Sequence, residues 1–486
     1  MNNLLFPGQG ARAVLSKDLL YHLSADRALE VLCPDLHRRE ALWKELSAPA
    51  ADPAEITLRQ EILQDFLKDP LLLSDLSDLL ERFCALRASH EQQRREEARA
   101  AGKGNEANAK QLLESTALTL KRCLLFLQAM GEILEKASPV SRGLTALRER
   151  MRALTTPTAF AELVQLCATL ESFPARGFVD QSFCLNDEGQ ICGAFLVSHR
   201  DLQITDPTLI TKKGWFRRRE EPTAGPTGCL DVTAFFRPNS TREALLATPL
   251  WDLAKQLSGY AQALFEEFCP YQSTLTFYEG ALDYCRCLTE KGVSFCFPSV
   301  NETATEFCEL RDLFLLSRAR NGGEVIPYRL SAAKDTQIAV FGANGSGKTV
   351  FLRAVGTAQL LFQAGLPIPA REATMTVRSG LFSQFSEAEK ELADAEKTGR
   401  FEQEAREIAE MLEALAPGAL VLLNETFQTT AYGEGAQGLL PILRYFASHG
   451  IGYLLVSHLR DLEEPLAREG VAILHTAKGY QLQRIP

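Results

Sequence analysis

Residues 342–349 read Gly342-Ala343-Asn344-Gly345-Ser346-Gly347-Lys348-Thr349, directly after the apolar run 336–341 and before Val350-Phe351-Leu352. This G-x-x-x-x-G-K-[ST] pattern restricts the fold of the 486-residue chain more than any other feature. Glycines at these places let backbone N–H groups turn inward around an anion. The turn works where a strand hands over to a helix, whose N-terminus adds the positive end of its dipole. Lys348 then supplies a point charge for β- and γ-phosphates, and Thr349 places a hydroxyl on Mg²⁺. The pattern predicts a nucleoside triphosphate site built by Gly342, Ala343, Asn344, Gly345, Ser346, Gly347, Lys348 and Thr349.

Two further apolar runs, ALVLLN at 419–424 and IGYLLVSH at 451–458, are separated by helix-length segments. Continuous apolar strands alternating with helices predict an α/β sheet covered on both faces. The first run ends in Asn424-Glu425. A carboxylate there can accept a proton from an attacking water, which makes Glu425 the candidate base. Asn424 falls on the metal side, where it offers a neutral carbonyl rather than the charge of an aspartate. His458 closes the second run, where an imidazole can touch a γ-phosphate and report its loss.

The N-terminal half reads differently. Residues 56–172 predict helices, and Leu113, Ala117, Leu120, Leu124, Leu127, Gly131 and Leu134 fall on one helical stripe. A polar stretch of mixed charge at 90–110 reads as a solvated helix end with a Gly-containing loop, with a protruding helical hairpin as the alternative. Apolar runs 183–185 and 191–197 flank Asn186-Asp187-Glu188-Gly189, a β-hairpin signal. Helix is expected again from the capping box Ser240-x-x-Glu243, with Leu253, Leu257, Tyr260, Ala261, Leu264, Phe265 and Phe268 on its apolar face. The β-rich piece thus reads as inserted into a helical body.

Composition narrows the function. A net charge of −10 rules out a globally basic nucleic-acid coat but not a local patch. Such a patch stands at 212–219, where Lys212, Lys213, Arg217, Arg218 and Arg219 surround Trp215 and Phe216 with no anion among them. Cations neutralise phosphates and aromatics stack on bases, so the patch is a candidate DNA contact; a solvated loop balanced by Glu220 and Glu221 is the alternative. No apolar run approaches the ~18 residues of a membrane helix, and the N-terminus lacks a signal-peptide pattern. The twelve cysteines lack metal-site spacing, so they read as buried free thiols in a reducing cytosol.

The C-terminal ~160 residues resemble the ATPase domain of the MutS family, of the ABC type. The resemblance rests on an ordered series: the loop 342–349 with Asn344 at its third position, the segment Gly365 to Pro369-Ala370, Thr398-Gly399-Arg400, Asn424-Glu425, Thr430 with Glu434-Gly435, and Ser457-His458. Residues 271–330 are similar to the end of the family's core helices and the strand entering the ATPase, through Leu282-Asp283, Phe297-Pro298 and Val325-Ile326-Pro327. There are departures. Phe401 follows Gly399-Arg400 where the family has a Ser-Thr pair, and Asn424 stands for the family's Asp.

The resemblance implies a mostly helical core/lever-like region at 1–175 and a β-containing insert in the clamp position at 176–236. It further implies a helical return at 237–300 and a P-loop ATPase domain at 301–486. It also implies a homodimer joined through the ATPase domains, with Arg400 reaching the partner's nucleotide, and no mismatch-reading domain. The expected protein is a cytoplasmic, Mg²⁺-dependent ATPase that binds DNA as an ATP-regulated dimer, with Glu425 and His458 catalytic and Thr349 and Asn424 on the metal. The alternative is an ATP-gated protein-interaction module with weak hydrolysis and no DNA binding.

Overall fold

The computed structural model describes residues 3–6, 10–100, 106–171, 181–185, 191–196, 241–334, 336–386, 397–427, 432–476 and 482–484. These residues divide into two compact units: Ser74–Ser138 with Thr145–Gln272, and the remainder.

The first unit is built from helices. In the Glu106–Ala137 helix, Leu113, Ala117, Leu120, Leu124, Leu127 and Leu134 are all buried, as the 4-3 spacing requires. An aromatic cluster closes its core: Phe83 stacks on Phe126 at 3.9 Å between centroids and lies 4.9 Å from Phe265, and Phe126 meets Phe268 edge-on at 5.7 Å. The Thr241–Phe268 helix corrects one expectation. Tyr260 is 59% exposed, not part of the apolar face. Among the described side chains, its buried positions are Leu250, Ala254, Leu257, Ala261, Phe265 and Phe268, and Tyr260 sits about 100° round the helix from Ala261, on the flank of that seam. Ser240 of the expected capping box lies outside the described residues. Helix runs to Ala100 and resumes at Glu106 within the polar 90–110 stretch. Gln181–Leu185 and Ile191–Leu196 pair antiparallel, as the hairpin signal predicts; the turn between them is outside the described residues.

The second unit carries a seven-stranded sheet in the spatial order Val14–Leu15, Gly380–Phe385, Leu420–Asn424, Gly452–Ser457, Ile338–Phe341, Ala472–Thr476, Leu482–Arg484. Every pairing is parallel except the last. The central strands read Leu-Val-Leu-Leu-Asn and Gly-Tyr-Leu-Leu-Val-Ser and are buried on both faces, as parallel strands between helices must be. Register aligns Asn424 with Val456 and with Phe385, and Phe341 with Ser457 and with His475. The C-terminal ends of five strands therefore finish at one edge, where ligands bind in open parallel sheets. A four-stranded sheet of Ser299–Val300, Glu372–Met375, Ala304–Leu310 and Tyr328–Ala333 belongs to the same unit.

Hydropathy gave no sign that the N-terminal residues join this sheet. Val14 and Leu15 form its edge strand. His22 donates to or accepts from Ser383 Oγ at 2.9 Å and stacks on Phe385 with rings 4.7 Å apart and 2° from parallel. Nearby, Arg59 is fully buried. Its guanidinium bonds Glu55, Glu45 at 3.1 Å and the carbonyl of Ala364 at 3.2 Å, and it covers the Phe6 ring at 3.5 Å.

Cys33, Cys84, Cys123, Cys167, Cys269, Cys285, Cys287, Cys296 and Cys308 are free thiols. Cys33, Cys123, Cys167 and Cys285 are buried, but Cys84, Cys269, Cys287, Cys296 and Cys308 are only partly so, which narrows the expectation of uniform burial. Burial pushes the thiols of Cys123 and Cys285 up to about 12, so both stay protonated and inert at neutral pH. Among the described residues, no helix is long and apolar enough to cross a membrane.

Candidate nucleotide site

The loop 342–349 leaves the Ile338–Phe341 strand and opens the Lys348–Gln363 helix. Two glycines make the geometry available. Gly347 caps the helix at φ +88°, a left-handed conformation that costs an L side chain. A Cβ on Gly342 would lie 1.9 Å from Thr476 Oγ1. Thr476, the last residue of the Ala472–Thr476 strand, uses that hydroxyl to donate to Ser346 Oγ at 2.9 Å, so a neighbouring strand braces the loop.

Lys348 is 5% exposed, and its Nζ donates to the carbonyls of Gly342 at 3.0 Å and Ala343 at 3.1 Å. The same Nζ lies 3.4 Å from Glu425 Oε1. The other oxygen of Glu425 is 2.6 Å from His458 Nδ1. Thr349 Oγ1 donates to Asn424 Oδ1 at 2.9 Å. Sheet register alone brings these residues together: the loop, Asn424-Glu425 and His458 follow three adjacent parallel strands.

The turn after Asn424 is unusual. Glu425 has φ +55° and Phe427 φ +57°, both non-glycine residues in the left-handed region. Each such residue costs about 1–3 kcal/mol and persists only where its surroundings over-determine it. Here the Glu425 N–H donates to Val456 O at 2.9 Å, Thr426 Oγ1 to Gln384 Oε1 at 2.6 Å, and the Phe427 N–H to Glu404 Oε2 at 2.7 Å.

A cavity of about 840 Å³ opens on the loop. Residues 344–350, Ser386, Asn424 and Glu425 line it on the loop side, and Leu315, Val325, Ile326 and Tyr328 line it together with the charged Arg318 and Glu324. A loop that cradles anions beside a partly apolar lining suits a phosphorylated ligand. Thr349 and Asn424 set two neutral oxygens side by side, a donor set that fits a hard cation such as Mg²⁺ when phosphates complete its shell. Among the described residues, no cluster of three or more His, Cys, Asp or Glu side chains could hold a metal ion by itself.

Other expected site residues stand elsewhere. Arg400 belongs to the Lys397–Ala414 helix, and its side chain lies outside what is described. Thr430 and the whole patch Lys212, Lys213, Trp215, Arg217, Arg218 and Arg219 also lie outside the described residues. Sequence reasoning missed Ser386, Glu404, Tyr328 and Thr476. For Glu404 a signal existed, since it is spaced i, i+4, i+7 with the buried Ile408 and Met411 and so puts a charge on a core stripe.

Residues 338–478 match MutS domain V. Proteins named endonuclease MutS2 are similar over part of this chain. The one from Anaeromyxobacter sp. (strain Fw109-5) is 33% identical over 167 residues, which is 34% of this chain and 20% of that protein. The one from Pelotomaculum thermopropionicum is 35% identical over 153 residues, 31% of this chain and 19% of that protein. The one from Clostridium botulinum (strain ATCC 19397 / Type A) is 30% identical over 150 residues, again 19% of its length. The chain thus spans about a fifth of the length of the curated relatives it matches.

Proposed function

We propose that this chain, whose residues 338–478 match MutS domain V, binds ATP with Mg²⁺ and hydrolyses it, and that nucleotide state governs a dimer that holds DNA. One observation carries the reading: Lys348, Thr349, Asn424, Glu425 and His458 meet within bonding distance at the C-terminal edge of a parallel sheet. In this reading ATP phosphates displace the carbonyls of Gly342 and Ala343 as partners of Lys348. Thr349 and Asn424 would hold a divalent cation, whose charge would neutralise the phosphate oxygens. Glu425, released from Lys348, takes a proton from the attacking water, while His458 orients the carboxylate. Arg400 reaching the second protomer's phosphates and the cytoplasmic location remain part of the proposal on the family resemblance alone.

The direct test is nucleotide affinity. Lys348→Ala removes the counter-charge of the phosphates, so ATP binding is expected to weaken about 10–100-fold by calorimetry. Wild-type affinity in the variant would dismiss the loop as the phosphate site.

DNA binding is proposed on the patch Lys212, Lys213, Trp215, Arg217, Arg218 and Arg219. A chain of net charge −10 is repelled by DNA at long range, so binding must come from a concentrated patch. If all five cations engage a duplex, the log–log salt slope is roughly −4. Replacing Arg217, Arg218 and Arg219 by Ala is expected to flatten it by about 3 units and weaken binding to all sequences alike. An unchanged slope would make the patch a solvated loop. The absence of DNA binding by the wild type would favour the second reading, an ATP-gated protein-interaction module, which Asn424 supports by contributing no charge to the cation.

A further inference from the structure

Resting on the reading of Glu425 as the base, we propose that Glu404 is a positioning residue that holds the base-bearing turn, so that the helix carrying Glu404 sets whether the site can hydrolyse nucleotide. Glu404 sits on the Lys397–Ala414 helix and is only 7% exposed. Its two oxygens make two different contacts. Oε2 accepts from the Phe427 N–H at 2.7 Å, and Oε1 accepts from Ser386 Oγ at 2.8 Å.

Both partners matter for the site. Phe427, like Glu425 two residues before it, lies in the left-handed region. Ser386 lines the cavity beside Asn424 and Glu425, and its own N–H donates to Asn424 O at 3.0 Å. The strand side of the turn is fixed by Val456 and Gln384. Glu404 fixes it from the helix side and ties together the ends of two neighbouring strands, Gly380–Phe385 and Leu420–Asn424.

The carboxylate makes two specific contacts that an apolar side chain would not make. The position continues the stripe of Ile408 and Met411, where an apolar side chain would pack without desolvating a charge. A pair of acceptors aimed at two site segments has a geometric use instead. Any displacement of the helix pulls on both segments at once, and a base misplaced by about 1 Å loses on the order of a hundredfold in rate.

The test compares Glu404→Leu and Glu404→Gln in the full chain. Glutamine can restore both contacts: its amide oxygen accepts from the Phe427 N–H, and its amide nitrogen donates to Ser386 Oγ, whose hydroxyl reverses its role. Glu404→Leu is expected to lower kcat for Mg-ATP about 10–100-fold while ATP affinity changes less than about threefold, and Glu404→Gln to recover most of the rate. Hydrogen exchange of the Phe427 amide should accelerate in Glu404→Leu and not in Glu404→Gln. Should Glu404→Leu not fold, Glu404→Asp, too short to reach both partners, is expected to show the same split between kcat and affinity. Wild-type kcat in the folded variant, an equal loss of kcat and affinity, or a glutamine no better than leucine overturns the proposal. A wild type that turns over no ATP overturns the reading of Glu425 instead, and amide exchange then still decides whether Glu404 holds the turn.

Discussion

Replacing Glu425 by Gln is expected to slow ATP hydrolysis by about 10²–10⁴-fold, the usual contribution of a positioned general base. The amide keeps the shape of the side chain and its contact with His458, so the turn is not disturbed. ATP binding is expected to hold or tighten, for a reason specific to this site. Lys348 Nζ lies 3.4 Å from the Glu425 carboxylate, and a phosphate must compete with that carboxylate for the lysine. Removing the negative charge ends the competition. Single-turnover hydrolysis and ATP affinity measured on the same preparation separate the two effects. Turnover at the wild-type rate would move the base elsewhere, and weakened ATP binding would sink the competition argument.

The largest stability effect is expected at Arg59, far from any reacting atom. Its guanidinium is fully buried between Glu45 and Glu55. Burial pulls its pKa down from the ordinary arginine value. Removing one partner of a buried ion pair costs about 3–5 kcal/mol because the other charge is left uncompensated. Arg59→Met is therefore expected to lower the melting temperature of the unit that contains it by roughly 10 °C. Arg12, 3.0 Å from Glu55, relieves part of the residual charge. Adding Glu45→Gln and Glu55→Gln to Arg59→Met should recover much of the loss, since neutral partners no longer demand a cation. By contrast Arg142→Ala, which breaks an exposed pair with Glu61, should cost under about 1 kcal/mol. Equal melting temperatures for Arg59→Met and Arg142→Ala would show that the buried network holds nothing.

The parts of this structure that could be read from sequence obey one-dimensional rules. The runs 336–341, 419–424 and 451–458 become the strands Ile338–Phe341, Leu420–Asn424 and Gly452–Ser457 because continuous burial leaves a continuous apolar record. The stripe from Leu113 to Leu134 was legible because one helix face meets one core. What escaped depends on pairing between distant segments. Val14-Leu15 is too short for a strand pattern, and only its register with Gly380 and Leu381 defines it. Arg59 looks like any polar residue of an amphipathic helix until Glu45 and Ala364 surround it. Tyr260 shows the opposite error: an aromatic ring near a seam is not on it when the helix turns it about 100° away. At the site, Lys348 and Thr349 could be read from their motif, but the contact of Glu404 with the Phe427 turn belongs to the third dimension only.

The edge strand at Val14–Leu15 also puts synthesis on a clock. Ser16 and the Ser383 it faces are separated by 367 positions along the chain. A ribosome adding roughly 5–20 residues per second emits the first of them roughly 20–70 s before the second. For that interval the opening segment has no template to lie against, while the Leu19–His22 helix and its neighbours already exist as nascent chain. The sheet cannot be completed progressively from the N-terminus: its outermost strand is made first and seated late. Closing so long a loop costs entropy that grows only with the logarithm of its length, and contacts such as the stacking of His22 on Phe385 help to offset it.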